Sequence, residues 1–148
     1  MPFFHDQDRS GLRRRYVEAW RKHRAGRPLE PLEHQIVAVV EQHPEYHALL
    51  EDEVEAVGLE FTPEAGRSNP FLHMGLHLAI REQSATDRPA GIAAIRDRLA
   101  ERLSDSHEAE HRMLERLGEA LWLSQRTGQP PDEAAYLESL RRLLGTRQ

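Results

Sequence analysis

The sequence contains no cysteine. That removes disulfides, thiolate metal sites, iron–sulfur clusters and cysteine nucleophiles together. It suits a reducing cytoplasm, the localisation expected here. No apolar run approaches the roughly 20 residues of a membrane span, so no membrane role is expected. The opening MPFFHDQDRS turns acidic soon after two aromatics and lacks a leader peptide's basic-then-apolar layout. No period-two alternation stands out, which argues against a sheet. A Ser–His–Asp order, a phosphate-cradling glycine loop and a dinucleotide fingerprint are missing as well. The sequence therefore assigns no reaction, substrate or catalytic residue.

What is present is a chain of 148 residues with 39% hydrophobic and 30% charged side chains, enough for a real core and too apolar for a disordered chain. One domain over residues 1–148 is expected. The net charge of −5 is unevenly spread. Between Arg9 and Arg27 stand eight basic residues against the single acid Glu18, so a basic first helix sits on an acidic remainder.

Turn and cap signals divide the chain into a series of helices. The first is expected over about Ser10–Arg24, with Leu12, Tyr16, Trp20 and His23 on one face. The second covers roughly Leu29–Gln42, with Ile36, Val39 and Val40 inward; its β-branched run Val37–Val40 could also suit a strand. Pro44 breaks the chain, and a short helix from Glu45 to about Val57 follows. FTPEAGRSNP is the longest loop. Asn69 as cap and Pro70 in the first turn open an apolar helix to about Gln83. Another helix covers about Pro89–Leu103. Asp105, with Glu108 three residues on, caps a helix to Gln125 that stops near Gly128. GQPPDEAAYLESLRRLL supplies the last. The expected class is all-α, a helical bundle with a four-helix core and additional short helices.

Nine histidines are present, and six form i,i+4 pairs: His43/His47, His73/His77 and His107/His111. Scattered at random, only about half such a pair is expected. In NPFLHMGLHLAIREQ the stripe Asn69, His73, His77, Arg81 is polar and the other faces are apolar, so the two imidazoles need buried partners. His107, Glu110 and His111 lie beside the inward stripe Leu114, Leu117, Leu121. His47 with Glu51 makes a further one-turn pair, and His43 precedes it. One-turn spacing sets two donors on one side of a helix, and bundles build metal sites in this way. Any single pair is most simply a hydrogen-bonded core feature. Three together favour a metal, zinc or dinuclear iron, held by His73, His77, His107 and His111 with Glu110, His47 and His43 completing the site.

Sharper-looking motifs carry less. His107-Glu-Ala-Glu-His111 spells H-E-x-x-H, but it sits at a capped helix start in a chain without the expected edge strand of a protease cleft. Glu108-x-x-His111 is one copy of an element that di-iron bundles need twice. A hemerythrin-like site suits the histidine content, as an analogy alone. Nucleic-acid binding through Arg13, Arg14, Arg15, Arg21 and Lys22 is open, although Tyr16 and Trp20 belong to the inward stripe. The competing class is a metal-free helical interaction module with structural histidines, its basic helix docking a protein or nucleic acid. No partner is selected, and a homo-oligomer stays open.

FFHDQDR, LRRRYVEAW, GRPLEPLEHQI, HPEYHALLE, SNPFLHMGLHLAIREQ, TDRPAGI and DSHEAEHRMLERL together resemble the bacterial family of domain of unknown function 1841 over nearly the whole chain. The resemblance implies a bacterial, single-domain, cytoplasmic protein. It implies no activity and gives no residue a role, so the metal expectation rests on helical spacing.

Overall fold

A computed structural model describes residues 6–58 and 69–145. The described residues form helices and turns without a strand, the all-α class expected. In chain order they are α1 (Asp6–Arg24), α2 (Pro31–Glu41), a 3-10 turn (Pro44–Tyr46), α3 (His47–Leu50), α4 (Glu53–Gly58), α5 (Pro70–Thr86), α6 (Ile92–Leu103), α7 (Ser106–Thr127) and α8 (Glu133–Gly145). None is long and apolar enough to cross a membrane. The chain divides into two compact units, Met1–Gly75 and Leu76–Gln148, the division falling inside α5. Most of the loop expected from FTPEAGRSNP lies outside the described residues.

In the first unit α1 packs on α2 and α4. Tyr16, Val17, Ala19 and Trp20 are buried among its described side chains. The expected stripe is displaced at both ends, since Leu12 is 42% exposed and His23 is exposed. α2 is helical despite its β-branched run. Ile36, Val37, Val39 and Val40 bury together at helical spacing, and burial outweighs their small propensity deficit. The start is fixed by a capping box, in which Glu30 N–H donates to Glu33 Oε1 at 2.8 Å.

The single helix expected over Glu45–Val57 is three pieces. Pro44 opens the 3-10 turn. Asp52 then interrupts the chain, because its Oδ1 accepts Glu55 N–H at 3.1 Å and caps a new helix. In sequence the run Glu51, Asp52, Glu53 and Glu55 reads as a solvated helix face; Asp52 is instead the cap that restarts the helix.

The basic face of α1 is matched within this unit. Arg21 pairs with Glu18 and Glu53, each at 2.9 Å, Lys22 with Glu33 at 3.0 Å, and Arg24 with Glu51 at 3.7 Å. Arg13 donates to the Ala56 and Val57 carbonyls, both at 3.3 Å, meeting the negative end of α4.

In the second unit α6, α7 and α8 pack on one another. Ile80 of α5 joins Ile92, Leu99, Met113, Leu114 and Leu140 in their core. α7 begins as expected, with Asp105 Oδ1 accepting Glu108 N–H at 3.1 Å. It ends at Gly128, whose φ of 71° suits a residue without Cβ. Leu121, expected inward, is 39% exposed; Leu114 and Leu117 complete the buried stripe. α6 starts at Ile92 rather than Pro89. Asp87 accepts the Gly91 and Ala93 N–H groups at 3.1 and 3.0 Å, so residues 88–91 form a capped turn. α5 runs to Thr86, beyond Gln83, and Asp87 stops it at φ 52°.

Leu140→Ala should lower unfolding free energy by about 2–5 kcal/mol, as expected for a fully buried leucine. Asp52→Ala should lower it by about 1 kcal/mol through the lost cap. Urea denaturation followed by circular dichroism measures both.

Candidate metal centre

The start of α5 is set by Asn69, whose Oδ1 accepts the Phe71 and Leu72 N–H groups at 3.0 and 3.2 Å. That register buries Phe71, Met74, His77 and Ile80, three residues apart. Leu72, on another face, is 58% exposed, so the helix is one-sided rather than buried all round. His77 is on the buried line and Arg81 follows one turn later. The Asp105 cap fixes the register of α7 in the same way. It places His107, Glu110 and His111 on one face of the first turns, and Ala109 and Met113 in the core.

These registers bring three imidazoles of the second unit together. The His77 and His107 rings stack with centroids 5.4 Å apart and planes 8° apart. His111 meets His77 at 4.8 Å and His107 at 4.3 Å, edge to face in both cases. One ring nitrogen from each lies within 4.8 Å of the others. Nitrogens around a tetrahedral zinc at bonds of about 2.0–2.1 Å would be roughly 3.3 Å apart.

Glu110 orders the group. It is 3% exposed and His77 is fully buried. His77 Nδ1 is 2.5 Å from Glu110 Oε1. A carboxylate can only accept, so Nδ1 carries the proton and donates it, and in the neutral ring Nε2 holds the lone pair. Arg81 Nε donates to both Glu110 oxygens at 3.1 Å, and Arg81 Nη2 lies 3.0 Å from Oε1. Burial opposes ionisation of Glu110. The hydrogen bonds from His77 and Arg81 and the nearby Arg81 charge outweigh it, holding the carboxyl below its ordinary value.

The remaining sequence candidates lie in the first unit. His43 is buried, and its Nδ1–H donates to the Val39 carbonyl at 2.8 Å. Its ring stacks on Tyr46 at 5.4 Å and meets His73 edge-on at 5.0 Å. His47 donates Nε2–H to the Val40 carbonyl at 2.9 Å and lies against Trp20 at 4.4 Å. Glu51 accepts the Trp20 indole N–H at 3.3 Å, so the two residues of the expected His47/Glu51 pair each engage another group. The second unit thus collects His77, His107, His111 and Glu110, and the first collects His43 and His73. In sequence Arg81 reads, with Glu82, Asp87 and Arg88, as part of an ion-pair network bracing a turn. It anchors Glu110 instead. Its position one turn beyond His77 was the available signal, since a carboxylate meeting His77 also comes within reach of Arg81.

Fold and site define an all-α protein with a partly buried, carboxylate-anchored histidine group. The chain belongs to the family described as Domain of unknown function (DUF1841), whose model matches residues 8–142. Comparisons with curated proteins and with solved structures return no match.

Glu110→Ala would leave the His77 N–H and the Arg81 guanidinium without their acceptor. Its expected cost is about 3 kcal/mol. A lowered folded-state pKa stabilises the native state above the ordinary value of 4.5. That contribution is lost as pH falls through the lower folded value. The stability difference between wild type and Glu110→Gln should therefore be full at pH 7 and shrink in acid, as read by urea denaturation at several pH values.

Proposed function

We propose that the protein binds a divalent transition metal, zinc or iron, through His77, His107 and His111. The observation that carries this reading is the approach of three ring nitrogens within 4.8 Å, one of them on a histidine whose Nδ1–H is committed to a carboxylate. That arrangement directs the other nitrogen of the ring to a metal and raises its donor strength. His43, His47 and His73 belong to the proposal by their sequence spacing. Zinc would make the role structural or hydrolytic, and iron would supply oxygen chemistry or sensing.

Elemental mass spectrometry of tag-free protein should find zinc or iron in stoichiometric amount, and His77→Ala should lose it. A chelator should lower the melting temperature of wild type, since metal at about 100 times Kd adds roughly 2.7 kcal/mol of stability. Folded protein that holds no metal and cannot be loaded would overturn the proposal and leave a helical interaction module.

A further inference from the structure

Glu110 has the chemistry of a metal ligand and stands among the three histidines, yet its oxygens are already engaged. Oε1 accepts from His77 Nδ1 at 2.5 Å and from Arg81 Nε at 3.1 Å; Oε2 accepts from Arg81 Nε at 3.1 Å. Turning Oε1 to a metal would disturb the acceptor of an N–H on a side chain with no exposure, and turning Oε2 would disturb the Arg81 contact that holds the carboxylate in place. The guanidinium also offsets the carboxylate charge, so Glu110 holds the His77 proton by a hydrogen bond without removing it. Glu108, the neighbouring acid on α7, pairs with Arg112 at 3.2 Å. Neither acid is set up to bridge two metal ions.

Resting on the metal reading above, we propose that Glu110 is a positioning residue outside the coordination sphere. It fixes His77 as the Nδ1–H tautomer and aims Nε2, and Arg81 holds the carboxylate in place. The donors supplied by this group are then imidazole nitrogens alone. The site takes one late first-row divalent ion, such as zinc, cobalt, nickel or copper, and not a carboxylate-bridged iron pair.

Co2+ titration of the full chain tests this, with wild type, Glu110→Gln and His77→Ala compared by visible absorption. Wild type should bind one equivalent. Glu110→Gln should bind one equivalent with the same band positions and a Kd raised about 10–100-fold. His77→Ala should lose the site. Glu110→Gln could fold poorly, so wild type is also examined by infrared difference spectroscopy on adding Zn2+. Imidazole bands should change and the antisymmetric carboxylate stretch should stay in place. A shifted carboxylate stretch, altered cobalt bands in Glu110→Gln, an unchanged Kd in that variant, or two equivalents of iron bound by wild type would each overturn the assignment. No cobalt or zinc binding by wild type would sink the metal reading and this one together. Tight binding with any of the four contrary outcomes would sink this one alone.

Discussion

Glu110 can stay ionised inside the second unit because two donors reach it, and each donor is itself oriented by the contact. His77 contributes an N–H at 2.5 Å and Arg81 a guanidinium at 3.0–3.1 Å. A buried carboxylate lacking such partners would take up a proton or exclude the fold. The interaction joins α5 to α7 at the level of His107 and His111, so it also fixes where the third imidazole of the group stands. Core packing of Ile80 against Met113 and Leu114 brings the two helices together, and the Glu110 contact sets the rotation of the ring at position 77.

The first unit handles its histidines by other means. His43 and His47 donate to backbone carbonyls near the end of α2, His43 through Nδ1 and His47 through Nε2. Val39 and Val40 lie in the last turn of α2, where their carbonyls accept the Gln42 and His43 backbone N–H groups, and each imidazole N–H takes a second lone pair of its carbonyl. Burial of His43 then carries little penalty at Nδ1. The basic face of α1 is likewise matched at home by Glu18, Glu33, Glu51 and Glu53. Exposed pairs of this kind contribute little stability each. Their main effect is to balance the charge of α1 within its own unit.

Helix starts and stops were legible wherever a single local interaction decides them. Asn69, Asp105 and Gly128 act at the positions read from sequence, because a cap needs only its own turn. Reading failed where two local signals compete. Asp52 looked like one more acid on a helix face and is a cap; Pro89 looked like a first-turn proline and belongs to a turn closed by Asp87. The histidine spacing revealed which rings share a helix face. It could not reveal that α5 and α7 meet at His77, since packing between distant segments leaves no local mark. For the same reason Glu110 read as one more ligand, and Arg81 as part of a turn. Their roles depend on a contact across 29 to 33 positions.

The most direct test of this account is the tautomer of His77 in metal-free protein. Long-range proton–nitrogen correlation spectra of histidine-labelled protein, assigned with His77→Gln, read it at neutral pH. The account predicts a proton on Nδ1. A ring protonated on Nε2 alone would contradict it, because Nδ1 would then have no proton to donate to Glu110.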